Sequence, residues 1–292
     1  MKFLKMHGTG NDFVILESLP TAADWPDWAR RICDRHFGVG ADGLIIAQAS
    51  RVADLRMRIF NPDGSEAEMC GNGVRCFTKF VLESGRVDRQ RSPLKVETSA
   101  GVITLWPRWA DGQVTHVRVG MGQPRFAPQE IPVSLPGKDG AGKGPVRDYP
   151  LDVGGHRLAL TFVSMGNPHA IHFLDDANGF PLLEVGPKVE RHALFPSRTN
   201  FEIVQKLGEG RLRVRVWERG AGATLACGTG ACAVMVAAQL KGLVGREAQV
   251  EMPGGPLAVE WDGAGEVFMI GPAEAVFEGE MRPEAVGIRP HA

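Results

Sequence analysis

The sequence lacks an excess of charge and a long apolar run. Its 33 Lys and Arg residues nearly cancel its 34 Asp and Glu residues, so the charge balance favours neither nucleic acid nor an acidic membrane surface as a partner. The longest apolar run, ACAVMVAAQL, is interrupted by Gln239 and is about half the roughly 20 residues that a bilayer span requires. We therefore expect a small-molecule partner, with no nucleic acid and no membrane.

The sequence also lacks the signs of secretion. Its five cysteines are an odd number in a chain of 292 residues, which argues against a disulfide framework and favours reduced thiols. The N-terminal stretch MKFLKMHGTGNDFVILE has neither the uninterrupted apolar core nor the small-residue cleavage site of a secretory signal. Both features predict a cytoplasmic protein.

Strand patterns dominate what is present. LRMRIF at 55–60 and RLRVRVW at 211–217 alternate apolar with basic residues, which predicts antiparallel-type strands with one buried face. VETSAGVITL at 96–105 and VQKLGEGRLRV at 204–214 each carry a turn signal between two strand-like runs and predict hairpins. The Gly- and Lys-rich stretch at 136–145 predicts a surface loop without a function.

Three helices are predicted between the strands, at about 25–36, 72–84 and 229–240. Asp24 can cap the first, and glycines follow the periodic part of each. The third is apolar nearly all round, so we expect other structure to enclose it. Cys33, Cys76 and Cys232 lie on apolar helix faces, where packing is the expected role.

One short pattern occurs twice. ACGTGACAVMV at 226–236 and MCGNGVRCFTKF at 69–80 both read Cys-Gly-polar-Gly followed by an apolar helix. Each follows an alternating strand and a Gly-containing turn, which predicts two similar domains that each supply one thiol, Cys70 and Cys227.

A thiol just before a helix has a distinct chemistry. The unsatisfied N–H groups and the positive end of the helix dipole favour a thiolate, so we expect a lowered thiol pKa. Two such thiols can act on opposite faces of one carbon, one removing a proton and the other delivering one. The helix N–H groups would stabilise the ene-diolate that forms. The pattern therefore predicts a racemase or epimerase that needs no cofactor and no metal.

The motifs together resemble the diaminopimelate epimerase family over nearly the whole chain. They are KMHGTGNDF, DRHFGVGADGL, FNPDGSEAEMCGNGVRCF, SMGNPHAI, FPSRTNFE, ERGAGATLACGTGA and MPGGPLAVEW. The resemblance implies interconversion of LL- and meso-2,6-diaminopimelate, without a cofactor, in lysine and peptidoglycan synthesis. It also implies a homodimer.

The resemblance carries over residue by residue to the matching motifs. Cys70 and Cys227 would be the acid/base pair, assisted by His169 and Glu218. Substrate contacts would come from the following positions: Asn11, Asn61, Gly71, Asn72, Asn167, Asn200, Glu218, Arg219, Gly228 and Thr229. Gly43, Ala223 and Phe277 depart from residues that other members have, and none of these departures touches a thiol.

The resemblance further implies an α/β fold of the α+β type. Two pseudo-symmetric domains would each wrap a curved, mainly antiparallel sheet around a central helix, with the site in the cleft between them. The domains would be 1–125 with 273–292, carrying Cys70, and 126–272, carrying Cys227.

Two alternatives remain open on the sequence. A racemase of another amino acid, such as histidine, would use the same thiols on a substrate with one carboxylate. A zinc or redox thiol-binding module would use the pairs Cys70 with Cys76 and Cys227 with Cys232, although their spacings are wider than usual and unequal.

Overall fold

The computed structural model describes residues 1–16, 23–135 and 144–288. The chain divides into two compact units, one of residues 1–119 with those from Gly271 onward, the other of Gly120–Ile270. The loop predicted at 136–145 lies mostly outside the described residues. Across the three described ranges, no helix is both long and apolar enough to cross a membrane.

Both units contain more strand than helix. In chain order they are β1 (Lys2–Gly8), β2 (Asn11–Leu16), β3 (Gly43–Gln48), β4 (Leu55–Phe60), β5 (Glu66–Ala67), β6 (Leu94–Thr98), β7 (Gly101–Ala110), β8 (Gln113–Gly120), β9 (Tyr149–Val153), β10 (His156–Ser164), β11 (Pro168–Phe173), β12 (Asn200–Gly208), β13 (Arg211–Glu218), β14 (Gly222–Thr224), β15 (Glu247–Met252), β16 (Gly255–Glu260), β17 (Phe268–Pro272) and β18 (Glu274–Glu280). The predicted hairpins are confirmed as β6 with β7 and β12 with β13.

The first unit has a mixed, mainly antiparallel sheet. Strand β1 pairs antiparallel with both β18 and β2, and β2 runs parallel to β3. Strand β4 is antiparallel to β3 and β5 but parallel to β6, after which β7 and β8 continue antiparallel. The parallel pairs fall where a helix connects two strands, as crossover geometry requires.

The second unit repeats this order of pairings. Strand β10 pairs antiparallel with β9 and β11, and β11 runs parallel to β12. Strand β13 is antiparallel to β12 and β14 but parallel to β15, after which β16 and β17 continue antiparallel. One topology therefore occurs twice in the chain, and the predicted fold class is confirmed.

The described residues contain four α-helices and a short 3-10 helix. They are α1 (Trp25–Ile32), α2 (Gly71–Glu83), α3 (Leu182–Glu190), α4 (Gly228–Leu240) and the 3-10 helix Pro283–Val286. The three predicted helices are α1, α2 and α4. Helix α1 ends earlier than predicted because the Asp34 side chain accepts from the N–H groups of His36 and Phe37, a turn that competes with helical bonding.

The sequence analysis missed α3. Gly186 and Pro187 lie inside this helix and are helix-breaking signals in a sequence. The structure explains the glycine, because a Cβ there would come within 2.7 Å of the Trp217 ring. Packing against this ring outweighs the poor intrinsic propensity.

Helices α2 and α4 are the central helices of their units. Helix α2 packs against β1, β2, β3, β4 and β7, and α4 packs against β10, β11, β12, β15 and β16. Residues 71–82 of α2 are all buried, as are residues 230–238 of α4. The prediction that α4 is enclosed is therefore confirmed, and both helices are held rigidly with a cysteine at their first turn.

Candidate active site

The first thiol site lies at the start of α2. Cys70 is the N-cap residue in extended conformation, and its sulfur accepts a hydrogen bond from the Gly73 N–H at 3.4 Å. The thiol also donates to Asn11 Oδ1 at 3.6 Å, and the same oxygen accepts from Asn72 Nδ2 at 3.3 Å. Three of the predicted site residues, Cys70, Asn11 and Asn72, are thus in contact.

A buried arginine anchors this helix start. Arg75 is fully buried, and its guanidinium donates to Gly71 O at 3.2 Å, Asn72 Oδ1 at 3.0 Å and Pro272 O at 3.0 Å. Space for it depends on Gly8, where a Cβ would lie 2.8 Å from Nη2. The sequence analysis missed Arg75, although a charged residue inside the apolar run GVRCF was a usable signal.

Asn61 occupies a turn near the end of β4. Its Nδ2 donates to Ser65 Oγ at 2.9 Å, and its carbonyl accepts from Gly64 N. In the described contacts it stabilises the turn between β4 and β5, and its role in substrate binding stays a prediction.

The second thiol site lies at the start of α4. Cys227 is the N-cap residue in extended conformation and is 4% exposed. Its sulfur lies 3.6 Å from Thr229 Oγ1, and its N–H donates to Met252 Sδ. A Cβ on Gly230 would lie 3.2 Å from this sulfur, which explains the glycine at position 230.

The expected lowering of the thiol pKa is wrong for Cys227. Burial raises the pKa of the Cys227 thiol well above its ordinary value, and the Glu218 carboxylate raises it further. Glu218 also hydrogen-bonds the thiol, which favours the protonated form, while Thr229 acts in the opposite direction. Burial and the Glu218 carboxylate therefore outweigh the helix start, and both favour the protonated thiol.

A line of hydrogen bonds leads from the interior to this thiol. Glu202 Oε1 lies 2.6 Å from His169 Nδ1, and both side chains are 0% exposed. His169 Nε2 lies 3.0 Å from Asn167 Oδ1, and Asn167 Nδ2 donates to Thr229 Oγ1 at 3.1 Å. The structure thus brings the predicted residues His169, Asn167, Thr229 and Cys227 together.

Glu202 was missed by the sequence analysis. It stands alone in the apolar run FEIV, where an acidic residue was the available signal.

Glu218, Arg219 and Asn200 lie around the end of β13. The Glu218 carboxylate accepts from the Thr224 hydroxyl. Asn200 is 3% exposed, and its amide is used internally, accepting from the Arg219 N–H and donating to Pro168 O, each at 2.9 Å. The Arg219 guanidinium is exposed and donates to Ser197 O at 3.2 Å. Asn200 therefore positions the backbone from which Arg219 extends.

The remaining cysteines pack in the interior. Cys33, Cys76 and Cys232 are 0–2% exposed, which confirms the packing prediction. Burial raises the pKa of Cys33 and Cys76 to about 12. Among the described residues, no group of three or more His, Cys, Asp and Glu side chains is arranged to hold a metal ion.

Comparison with known proteins decides the family. The family model described as diaminopimelate epimerase matches residues 3–127 and 161–276. The chain belongs to the diaminopimelate epimerase family. The diaminopimelate epimerase of Moorella thermoacetica is 50% identical over 283 residues, covering 96% of this chain and 99% of its own. That of Desulfitobacterium hafniense is 47% identical over 290 residues, covering 98% of this chain and 100% of its own.

Solved structures extend the fold of this epimerase family to distant proteins. A hydroxyproline epimerase from Agrobacterium vitis matches with a TM-score of 0.69 at 17% identity, covering 98% of this chain and 94% of that one. A phenazine biosynthesis protein of the PhzF family from Bacillus anthracis matches with a TM-score of 0.68 at 19% identity, covering 97% and 99%. These likenesses show a shared fold.

Proposed function

We propose that this protein epimerises LL-2,6-diaminopimelate to meso-2,6-diaminopimelate by a two-base mechanism, without PLP or another cofactor. The observation that carries the proposal is the pair of cysteines at equivalent helix starts of two units with one topology. Membership of the diaminopimelate epimerase family supports the substrate.

Each thiol has one part in the reaction. In one direction Cys70 as thiolate removes the α-proton, and Cys227 as thiol delivers a proton to the opposite face, which inverts the carbon. In the other direction the roles exchange. The raised pKa of Cys227 suits it to the proton-donating step, and the Gly73 N–H, which donates to the sulfur of Cys70, would stabilise the thiolate of Cys70 when it forms.

The helix starts supply the electrostatic part of catalysis. The α-hydrogen of an amino acid is a very weak acid, so the ene-diolate must be stabilised as it forms. The backbone N–H groups of Gly71, Asn72, Gly228 and Thr229 lie in the first turns of α2 and α4, have no partner within their own helix, and can donate to the reacting carboxylate. Because α2 and α4 are buried, these donors are fixed before substrate binds.

Arg219 is proposed to bind the distal carboxylate of the substrate. Replacing Arg219 by Ala is expected to lower kcat/KM for LL-diaminopimelate roughly 10- to 100-fold, because a charge-assisted, bidentate contact is lost. Arg219→Lys should recover only part of the loss. Initial rates of meso product formation, followed by NMR, measure both effects.

A matched control, Arg211, lies at the other end of β13. Arg211→Ala removes an exposed guanidinium that pairs with Glu251 at 2.6 Å and should leave kcat/KM within about twofold. The same assays with L-histidine test the alternative substrate with one carboxylate. Racemisation of histidine at a higher kcat/KM than diaminopimelate, unaffected by Arg219→Ala, would replace the proposed substrate.

The same proposal extends to the pathway, the cellular location and the assembly of the protein. We infer lysine and peptidoglycan precursor synthesis, a cytoplasmic location, and two domains that each carry one thiol. A homodimer is supported by the exposed apolar side chains of Val276 and Phe277 on β18, where the Phe277 ring packs edge-on against Phe3. The zinc or redox module remains the alternative from another class, and metal analysis of the purified protein tests it.

A further inference from the structure

Glu202 lies beneath the first turn of α4, deep in the second unit. It stands on β12 opposite Ile171 of the parallel strand β11, and its Oε1 lies 2.6 Å from Nδ1 of His169 on that strand. A Cβ placed on Gly230 would come within 3.0 Å of the same oxygen. The carboxyl group is therefore in contact with both the imidazole and the helix start that carries Cys227.

The other carboxyl oxygen, Oε2, has no hydrogen-bond partner among the described residues. An ionised carboxylate with an unsatisfied buried oxygen is costly, whereas a neutral carboxyl avoids most of that cost. Burial raises the pKa of Glu202, and the Glu218 carboxylate raises it further, although His169 opposes both. The carboxyl is thus best described as neutral, with its O–H donated to His169 Nδ1.

The hydrogen bonds beyond His169 then run in one direction. With Nδ1 accepting, the ring proton is on Nε2 and is donated to Asn167 Oδ1. The Asn167 amide donates to Thr229 Oγ1, which leaves the Thr229 hydroxyl proton for the sulfur of Cys227, 3.6 Å away. Each donor in this chain points toward the thiol.

We propose that Glu202 is a positioning residue of the second thiol site, which fixes the tautomer of His169 and thereby aims the Thr229 hydroxyl at the sulfur of Cys227. The inference rests on the proposed acid/base role of Cys227. The series of hydrogen bonds that ends at Thr229 stabilises the thiolate that forms when Cys227 gives up its proton. Glu218 stabilises the thiol before that step. The two opposing contacts let one sulfur both donate and accept a proton.

Variants of Glu202 test this series of hydrogen bonds through the reactivity of Cys227. Peptide mass spectrometry of the full chain gives the rate at which iodoacetamide alkylates Cys227 at each pH, and hence the midpoint of its ionisation. Glu202→Leu should raise this midpoint by about one pH unit, because the thiolate loses an oriented donor. It should also lower kcat for diaminopimelate roughly 10- to 100-fold with KM within about threefold.

Glu202→Gln tests whether residue 202 acts as a neutral hydrogen-bond donor or as a charged carboxylate. The Gln amide can donate to Nδ1, so the midpoint and kcat should stay close to those of the wild-type protein. Gln205→Leu is the matched control, since Gln205 is on the same strand and also has a buried side-chain oxygen without a partner among the described residues. The proposal would be overturned if the ionisation midpoint of Cys227 rose equally in the Gln and Leu variants. It would also be overturned if that midpoint fell in either variant or changed in neither.

A measurement on the unmodified protein decides the question if Glu202→Leu does not fold. The ¹⁵N spectrum of the His169 ring should show Nδ1 without a proton and Nε2 with one. Protonation of both nitrogens, or the opposite tautomer, would contradict the proposal. Neither the alkylation nor the ¹⁵N readout involves diaminopimelate, so an inactive wild-type protein would refute the proposed function and leave the role of Glu202 separately decided.

Discussion

Replacing either Cys70 or Cys227 by Ala is expected to lower kcat for LL-diaminopimelate epimerisation by at least about 10³-fold, because general acid or base catalysis is lost on one face of the carbon. Cys→Ser should lose nearly as much, since a hydroxyl ionises far less readily than a thiol. The rate of meso product formation, followed by NMR at saturating substrate, measures the loss. Both variants should remain folded, because each cysteine lies at a helix N-cap and not within the helix.

The interior cysteines provide the control for these variants. Cys33→Ala and Cys232→Ala remove thiols of the same chemistry from packed positions and should leave kcat within about threefold while lowering stability modestly. Retention of more than a tenth of wild-type kcat by either Cys70→Ala or Cys227→Ala would contradict the two-thiol mechanism.

Replacing Arg75 by Leu is expected to lower the free energy of unfolding by about 3 kcal/mol or more. The substitution removes a fully buried guanidinium that donates to Gly71 O, Asn72 Oδ1 and Pro272 O, and the loss of charge-assisted hydrogen bonds at a buried site is costly. Arg75→Lys should recover only part of the loss, because one ammonium cannot reach all three acceptors in the geometry of a guanidinium. Urea unfolding, followed by circular dichroism, measures the change.

Arg86→Ala is the matched control for the guanidinium itself. Arg86 lies just beyond α2 and is exposed, and its guanidinium stacks on the Phe80 ring of that helix at 5.1 Å, so its loss should cost under about 1 kcal/mol. A change within about 0.5 kcal/mol for Arg75→Leu would show that the hydrogen bonds of Arg75 do not hold the start of α2.

The sequence predicted the features that local patterns determine. The repeated Cys-Gly-polar-Gly motif locates the starts of α2 and α4 correctly, because an N-cap and the glycines that follow are encoded within a few residues. Alternation in LRMRIF and RLRVRVW similarly predicts β4 and β13. Helix α3 was missed because the contact of Gly186 with Trp217 joins residues far apart in the chain.

Tertiary contacts also determine what the sequence did not predict in the candidate site. His169 was placed by its motif, but its partner Glu202 comes from a strand whose pairing with β11 no local pattern indicates. The thiol pKa of Cys227 was predicted from the helix start alone, and the direction was wrong because burial and the Glu218 carboxylate act more strongly. Arg75 was read only as part of a helix, although its side chain reaches Pro272 near the other end of the chain.

The central claim, that two different thiols act on opposite faces of one carbon, is tested most directly by isotope placement. The protein is incubated with LL-diaminopimelate in deuterated water, and product and remaining substrate are analysed by NMR at less than a tenth of full conversion. The account predicts deuterium at the inverted α-carbon of the meso product and none in the recovered substrate, because the acid that delivers the proton is not the base that removed it. Deuterium entering substrate as fast as product, or product that keeps its original hydrogen, would show a single base and contradict the account.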